Sequence, residues 1–435
     1  MNGPTPLAGV RRRLGPGTPI DPYALAGAEG VVFDTGRRVL VGMGRALVIG
    51  LEGGLESSSG LRRARQTLAA IPCDDRTGLG GSGVVALGAL PFDRGAPASL
   101  TVPEVTYGRD ADGTEWITVI GSWTGDDPRA ELLARRTRGD PSSDPSGATT
   151  AAVEPLTSDA AFLEMVATAV TSIRHGRLAK VVLARQVDVH LGSEPDLPAL
   201  LGRWRRLEPN CTVFSMPTPD GRFVGASPEL LVARHGPAVL SRPLAGTIGQ
   251  GSAASDAALR RSTKDAGEHR LVVEAIGAVL APLCTSLDVP GSPELVHLRN
   301  VVHLGTTIQG VLRGDGGDGT PSALDLVGAL HPTPAVGGVP LGIALDTILE
   351  LEPTPRGAYA GPVGYLGGDG DGEWVVGIRA ATLNGDTARL AAGVGIVEGS
   401  EPAAELSETD LKFTAVLDAL APGARRAAAP ARNVV

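Results

Sequence analysis

The order of strand-like and helix-like segments is the feature that most constrains what this chain can fold into. Across residues 155–421, short apolar runs typical of strands follow one another, and four segments carry the helical spacing of apolar residues. A doubly wound parallel sheet needs a helix between successive strands, because parallel neighbours require a crossover connection. The order therefore predicts an α/β protein of the α+β type whose sheets are mostly antiparallel.

The four helical segments have recognisable ends. Ser158 is a predicted N-cap, apolar residues follow it at helical spacing, and Gly176 supplies a stop. The other predicted helices cover roughly 196–206, the stretch from Ser255 to about Leu283, and a last segment that begins at Ser400.

The strand-like runs occur in both parts of the chain. They are predicted at 31–33, 39–41, 46–49, 84–90, 115–122, 180–189, 211–216, 222–226, 229–234, 297–312, 360–366, 373–384 and 388–397. Residues 1–150 are β-rich with few reactive side chains, and end in a Pro/Ser/Gly-rich, linker-like stretch at 137–150. Residues 155–421 form the second, chemically richer region, and 422–435 are predicted to be a disordered tail.

Charge and cysteine content limit the partners and the compartment. The net charge of -9 over 435 residues disfavours nucleic acid as the main partner. The three cysteines are scattered without metal or disulfide spacing, which predicts a reducing cytoplasm. We expect no signal peptide and no membrane span, since no run of about 18 apolar residues occurs. An acidic protein that takes an acidic substrate needs a metal or local Lys and Arg.

Two helices each carry a pair of carboxylates on the side that apolar residues also occupy. Asp265 and Glu268 share one face of the long helix. At about 100° per residue, Glu405, Glu408 and Lys412 fall within roughly a 60° arc of the last helix. A solvated acidic face and an exposed Glu–Lys pair are the alternatives. If the faces are buried, oxygen-only ligands predict Mg²⁺.

Four other positions are candidates for chemistry. The segment Gly393-Val394-Gly395 would let the backbone approach an anion, although a sheet bend explains it equally well. Arg379 lies in a predicted apolar strand, where it needs an acidic partner or a substrate carboxylate. Lys180 opens one strand and Glu229 follows another, and together they would form a base and an acid.

Ten ordered strings between residues 155 and 420 resemble the chorismate-utilising enzymes, which include isochorismate, salicylate, anthranilate and aminodeoxychorismate synthases. The strings are KVVLAR (180–185), GASPELL (225–231), PLAGT (243–247), KDAGEH (264–269), VVHLGTTIQG (301–310), HPTPAVGG (331–338), RGAYAGPVG (356–364), GIRAA (377–381), AGVGIV (392–397) and ELSETDLK (405–412).

The resemblance implies a fold and a set of site residues. The fold is the chorismate-binding fold, with two packed, mostly antiparallel β-sheets and helices outside, and the N-terminal part is its variable half. Mg²⁺ would be held by Glu268 and Glu408, with Asp265 and Glu405 acting partly through water. The implied substrate-binding residues are Ala245, Gly246, Thr247, His303, Ala335, Tyr359, Arg379, Gly393 and Lys412.

Within the family, the residues most resemble isochorismate synthases. Lys180 stands at the base position of enzymes that use water as the nucleophile, which anthranilate synthases lack, and Ala335 stands where salicylate synthases carry Thr. The resemblance implies that Lys180 activates a water for attack at C2 of chorismate and that Glu229 protonates the departing C4 hydroxyl. Salicylate synthase, an aminating enzyme and a non-catalytic metabolite-binding protein remain the alternatives.

The implied partners follow from this assignment. Chorismate is the substrate, no glutaminase subunit is expected, and the chain is expected to be a monomer that serves menaquinone or siderophore biosynthesis. The sequence departs from the family pattern at Thr263, in the loop IGQG (248–251) and at Ala266-Gly267. None of these positions is a proposed acid, base or principal metal ligand.

Overall fold

The computed structural model describes residues 7–79, 83–123, 127–135, 152–251, 253–314 and 319–422. The predicted linker at 137–150 and the predicted tail beyond residue 422 lie outside the described residues.

The first described part, up to residue 135, is mostly strand. Its elements are β1 (Gly9–Arg13), α1 (Pro22–Ala26), β2 (Val31–Asp34), β3 (Val39–Met43), β4 (Leu47–Leu51), α2 (Ser58–Ala69), β5 (Cys73–Asp75), β6 (Val85–Ala89), β7 (Ala98–Val102), β8 (Val105–Arg109), β9 (Glu115–Ile120) and α3 (Pro128–Ala134).

The second part, from residue 152, carries the longer helices. Its elements are β10 (Ala152–Pro155), α4 (Asp159–Arg174), β11 (Lys180–His190), α5 (Leu197–Leu207), β12 (Thr212–Thr218), β13 (Gly221–Ser227), β14 (Leu230–His235), β15 (Ala238–Arg242), β16 (Leu244–Gly249), α6 (Ala253–Arg261), α7 (Thr263–Leu280), a short 3₁₀ helix (Ala281–Leu283), β17 (Cys284–Asp288), β18 (Glu294–His297), β19 (Val301–Gly305), β20 (Ile308–Leu312), α8 (Ala323–Leu330), β21 (Gly338–Val339), α9 (Leu341–Leu351), β22 (Pro362–Gly367), β23 (Gly372–Val376), β24 (Ala380–Asn384), β25 (Thr387–Ile396) and α10 (Pro402–Leu420).

The strands form two large sheets and one small sheet. The thirteen-stranded sheet runs β10-β11-β25-β24-β13-β12-β2-β3-β8-β9-β1-β5, with β21 beside β11. The nine-stranded sheet runs β17-β20-β15-β14-β23-β22-β6-β7-β4, and the small sheet is β16-β19-β18. In the described ranges β1 and β5 pair in parallel and the other pairs are antiparallel, which confirms the predicted strand arrangement.

The N-terminal strands complete both large sheets. In the thirteen-stranded sheet β2 pairs with β12, and in the nine-stranded sheet β6 pairs with β22. Apolar residues of both sheets meet in one core, where Phe33 of β2 packs edge-on against Tyr365 of β22 at 5.7 Å between ring centroids. The helices α5 and α10 pack against the large sheet through residues such as Trp204 and Phe413. The predicted pair of packed sheets with helices outside is confirmed.

Three predicted elements are divided in the structure. The predicted helix 255–283 is two helices, because Ser262 caps the start of α7 by accepting a hydrogen bond from the Asp265 N–H at 3.1 Å. The predicted strand 297–312 contains two strands, β19 and β20, which belong to different sheets. The predicted strand 373–384 breaks between β23 and β24, and Arg379 lies in that break with φ 53° rather than in a strand.

Two further features of the described chain concern its helices and its cysteines. No helix in the described part of the chain is long and apolar enough to cross a bilayer. Cys73, Cys211 and Cys284 are free thiols.

Candidate active site

A cavity of about 50 Å³ lies where β11, β25, the small sheet, α7 and α10 meet. All nine predicted substrate-binding residues line it, together with Glu229, Glu268 and Glu408. The complete lining is Val182, Pro228, Glu229, Leu244, Ala245, Gly246, Thr247, Glu268, His303, Ala335, Val336, Tyr359, Ile378, Arg379, Gly393, Gly395, Glu408 and Lys412. The fold therefore brings together residues that are spread over more than half of the sequence.

Lys180 lies directly behind this lining, at the first position of β11. Its side chain is fully buried, and its Nζ lies 3.0 Å from Oε1 of Glu268 on α7. Gly395 on the neighbouring strand leaves the room for this ion pair. A Cβ at position 395 would lie 2.0 Å from Glu268 Oε1 and 3.0 Å from Lys180 Cε. The glycine that sequence analysis associated with an anion thus provides space for a buried ion pair.

Glu229 is a buried carboxyl group that follows the end of β13. Burial raises its pKa to about 7, although the Leu244 N–H and the positive charges of Lys180, Arg379 and Lys412 act in the opposite direction. A large fraction of the group is therefore protonated at neutral pH. This is the direction that a general acid requires.

The three predicted side chains on α10 form two ion pairs. Lys412 Nζ lies 2.7 Å from Glu408 Oε1 and donates a 2.7 Å hydrogen bond to the Gly393 carbonyl. Glu405 is 2% exposed and accepts a 2.6 Å hydrogen bond from Lys264 on α7. The carboxylate face of α10 therefore points inward. The Glu408–Lys412 pair of the alternative does form, but it lies on the cavity wall with the Lys412 and Glu408 side chains only 11% and 22% exposed.

The pKa values of the two glutamates on α10 are shifted in opposite directions. Burial alone would raise the pKa of Glu408, but Lys412, Lys264 and a hydrogen bond from the Thr247 side chain lower it below the usual value. Burial raises the pKa of Glu405, and Lys264 only partly offsets this effect. Glu408 is therefore the carboxylate that stays ionised on the cavity wall.

His303 lies between Arg379 and Thr247 on the cavity wall. Arg379 Nη2 lies 3.2 Å from His303 Nε2, and the Thr247 hydroxyl lies 3.0 Å from His303 Nδ1. Burial, Arg379 and Lys412 lower the pKa of His303 well below its usual value, so the ring is neutral. Because a guanidinium only donates, Nε2 must accept and the ring proton sits on Nδ1.

Tyr359 and the turn at Gly246 complete the wall. Burial raises the pKa of Tyr359, and its hydroxyl approaches the backbone N–H of Gly393. Gly246 has φ 75° at an irregularity in the β16–β19 pairing, and a Cβ there would lie 2.9 Å from the Asp265 Cβ. This bulge directs Ala245, Gly246 and Thr247 into the cavity, and Asp265 lies behind it.

The predicted Mg²⁺ site can be tested against the chemistry of its donors. Three lysine ammonium groups now contact the carboxylates of Glu268, Glu405 and Glu408. Within the described ranges, no three or more His, Cys, Asp or Glu side chains are grouped around one point as metal ligands. The cavity-lining donors are nevertheless carboxylate oxygens that already hold cationic groups. Glu268 and Glu408 therefore fit a hard divalent cation that replaces ammonium contacts.

Several residues of the site were not predicted. Lys264 was missed, although it directly precedes Asp265 at the start of α7, where its position on the helix could have indicated a contact with α10. The apolar lining residues gave no signal, because a buried Val or Leu in a strand looks the same whether it faces a core or a cavity. These residues are Val182, Pro228, Leu244, Val336 and Ile378.

Comparison with known proteins places this geometry among characterised folds. The model of the family described as "Chorismate binding enzyme" matches residues 33–421. Isochorismate synthase DhbC of Bacillus subtilis (strain 168) is 34% identical over 357 residues, covering 78% of this chain and 82% of that protein. Isochorismate synthase EntC of Escherichia coli (strain K12) is 35% identical over 363 residues, covering 81% and 85%.

A solved structure gives the same picture in three dimensions. The menaquinone-specific isochorismate synthase MenF of Escherichia coli superposes with a TM-score of 0.75 at 26% identity. The match covers 95% of this chain and 94% of that protein, so both the N-terminal and C-terminal strands take part in the shared fold.

Proposed function

The chain belongs to the chorismate-binding enzyme family, and from this premise we propose that it is a Mg²⁺-dependent isochorismate synthase whose acid and base are Glu229 and Lys180. The observation that supports the proposal is that the buried Glu229 lines the cavity and that the buried Lys180 lies directly behind its lining, in contact with Glu268. Glu229, with its pKa near 7, lines the cavity under the electrostatic influence of Lys180, Arg379 and Lys412.

The acid and base account for both halves of the reaction. Lys180, as the free amine, takes a proton from a water whose oxygen forms a bond to C2 of chorismate. The ring double bonds shift, the C4–oxygen bond breaks, and Glu229 gives its proton to the departing hydroxyl, which leaves as water. In the present geometry Lys180 Nζ contacts Glu268, so the amine has to leave that contact before it can serve as a base.

The rest of the cavity binds and orients the substrate. Arg379 and Lys412 are the cationic groups available for substrate carboxylates, and Arg379 can bind one with two parallel hydrogen bonds. Glu268 and Glu408 would hold Mg²⁺, with Asp265 and Glu405 in support, and the bound ion would neutralise the ring carboxylate of chorismate and fix the ring.

The proposal extends to partners and pathway. The chain acts as a monomer in the cytoplasm, without a glutaminase subunit, a nucleic acid or a membrane. The names of its relatives include menaquinone-specific enzymes, and a siderophore pathway is the other candidate.

The deciding experiment is incubation of the purified protein with chorismate and Mg²⁺, followed by chromatographic separation of the products. We expect isochorismate to appear, chelation of Mg²⁺ to stop its formation, and Lys180→Ala to abolish turnover while keeping Mg²⁺-dependent chorismate binding. Absence of isochorismate, with or without added isochorismatase, contradicts the proposal. Salicylate with pyruvate would indicate a salicylate synthase, and an aminated product in the presence of ammonia would indicate an aminating enzyme.

A further inference from the structure

Among the residues that the structure describes, none forms a strand beside the middle of β11 along one of its edges. On its other edge β25 pairs with every residue from Val181 to His190. On the open edge β21 pairs only with the first two residues of β11, and β10 pairs only with 187–190. The buried backbone between these short partners must find hydrogen bonds elsewhere, because an unpaired buried peptide group is costly.

Two side chains supply part of those hydrogen bonds. Arg356 Nη2 donates to the Val182 carbonyl at 2.8 Å, and Glu352 Oε1 accepts from the Ala184 N–H at 2.8 Å. One donor and one acceptor thus stand where a neighbouring strand would present its own N–H and C=O. Backbone groups outside the paired strands supply others, such as the Gly337 carbonyl, which accepts from the Val182 N–H at 2.8 Å. The middle of the open edge is therefore closed by side chains at the end of α9 and in the loop that follows it.

Arg356 and Glu352 also fix each other. Arg356 Nε donates to Glu352 Oε2 at 2.9 Å, and Nη2 lies 2.5 Å from Glu352 Oε1. The two side chains are only 2% and 4% exposed, so each charge is neutralised by the other without help from solvent. The face of the guanidinium covers the Phe92 ring, with Cζ 4.2 Å from the ring centroid.

The same guanidinium reaches two more segments of the cavity wall. Arg356 Nη1 donates to the Val336 carbonyl at 2.8 Å, and Val336 lines the cavity next to Ala335. The Arg356 carbonyl accepts a hydrogen bond from the Tyr359 N–H at 3.0 Å, and Tyr359 is a third part of the wall. One side chain and its own backbone therefore connect three cavity-lining segments that are far apart in the sequence.

We propose that Arg356, fixed by Glu352, is a positioning residue for the reaction. It holds the beginning of β11, which carries Lys180, at a set distance from the Ala335–Val336 segment and from Tyr359. Arg356 does not line the cavity itself and acts only through the residues that do. The inference rests on the proposed isochorismate synthase activity.

The geometry requires an arginine at this position. The carbonyls of Val182 and Val336 and the carboxylate of Glu352 are bound by different nitrogens of one planar group. A lysine keeps the positive charge but has a single nitrogen, so it cannot hold all three partners in these directions. Arg356→Lys therefore keeps the positive charge but removes the hydrogen-bond geometry that holds the three partners.

The test compares the steady-state kinetics of Arg356→Lys and Glu352→Gln with those of the wild type. We expect kcat to fall by about 10- to 100-fold in Arg356→Lys, because small displacements of reacting groups cost rate. The KM for chorismate should stay within about threefold of the wild-type value. The reason is that Arg379 and Lys412, the cationic groups proposed to bind substrate carboxylates, are unchanged. Amide hydrogen exchange should accelerate in the peptides that cover 180–186 and 333–337.

Arg389→Lys is the matched control. Arg389 of β25 makes a two-bond contact with Asp188 of β11, 2.9 Å for each bond, but it is half exposed and lies outside the cavity lining. We expect its kcat and its exchange in the two peptides to equal those of the wild type.

Two outcomes overturn the positioning role. One is a folded Arg356→Lys with wild-type kcat, and the other is a loss of activity that appears only in KM. If Arg356→Lys does not fold, Glu352→Gln is judged by the same two criteria. Wild-type turnover tests the proposed function separately, and the exchange of the two peptides tests the positioning even in a protein that makes no isochorismate.

Discussion

At the scale of single residues, side-chain chemistry depends on neighbours that are distant in sequence. The sequence indicated which carboxylates and lysines carry chemistry, because they fall in strings that resemble a known family. It did not indicate that Lys180 contacts Glu268 or that Lys264 contacts Glu405. Those pairs form between separate elements, and no local pattern encodes them.

Glu229 leads to a prediction about pH. Since its pKa is raised from the ordinary 4.5 to about 7 by burial, the protonated acid is lost as the pH rises through 7. We expect kcat/KM to decline on the alkaline side of that value, and Glu229→Gln to lower kcat by about 10²- to 10⁴-fold below pH 7, where the wild type keeps its acid.

The same shift has a consequence for stability. The folded state holds the Glu229 proton more tightly than the unfolded state does. Its contribution to stability is therefore complete below pH 4.5 and is lost as the pH rises to about 7. Rate profiles and denaturation between pH 5 and 9 measure both effects. A flat alkaline limb for the wild type would contradict the assignment of Glu229 as the acid.

Gly395 leads to a second prediction at this scale. In Gly395→Ala the new methyl group would overlap Glu268 Oε1 and press on Lys180 Cε, so both side chains must move. We expect kcat to fall by about 10- to 100-fold. Gly399→Ala is the control, because a Cβ there meets nothing within 4 Å. Equal rates for the two variants would show that the ion pair can shift without affecting turnover.

At the scale of elements, periodicity located most strands and the helical segments that became α4, α5, α6–α7 and α10. It missed the helices α1, α2, α3, α8 and α9, and it did not locate the points where predicted elements break. Ser262 divides the predicted helix 255–283 because its hydroxyl caps α7. Arg379 divides the predicted strand 373–384 because its backbone adopts a positive φ, which sequence pattern does not reveal for a non-glycine residue. Both breaks place functional side chains at element ends.

Two glycines in α7 give a prediction about helix stability. A Cβ at Gly267 meets nothing within 4 Å, and one at Gly277 makes only a 3.8 Å contact with Val289. Alanine at either position should increase the free energy of unfolding by roughly 0.5–1 kcal/mol, because glycine is a poor helix former. Chemical denaturation measures the change.

Gly328 in α8 serves as the control for that prediction. A Cβ there would lie 2.6 Å from Leu61 Cδ1 and 3.3 Å from the Leu55 carbonyl, so Gly328→Ala should destabilise the protein. A lower free energy of unfolding for Gly277→Ala would contradict the prediction, because it would show that an added methyl group is not accommodated at this position.

At the scale of the whole molecule, the N-terminal part contributes strands to both large sheets. Its strands β2 and β6 pair with β12 and β22, which lie in the interior of the two sheets. The relatives confirm the predicted family and the predicted isochorismate synthase, and most of their length matches this chain. The Mg²⁺ ligands and the catalytic roles of single residues stay predictions.

The sheet pairing gives a prediction about a fragment. A fragment of residues 152–435 would expose the edges of β12 and β22 and lose the core between the sheets. We expect it to be insoluble or to lack a cooperative thermal transition, and co-expression with residues 1–135 should restore soluble protein. A fragment that melts cooperatively by itself would establish an independent C-terminal domain.

The sequence by itself determined the fold class, the family and the residue types of the site. It could do so because the periodicity of apolar residues indicates which faces are buried, and because ten strings in the same order resemble those of a known enzyme family. Only the tertiary structure decided which charges pair, why Glu229 holds a proton near neutral pH, and how Arg356 and Glu352 close the open edge of β11. Those properties arise from burial and from contacts between distant segments, and they exist only once the strands and helices are packed together.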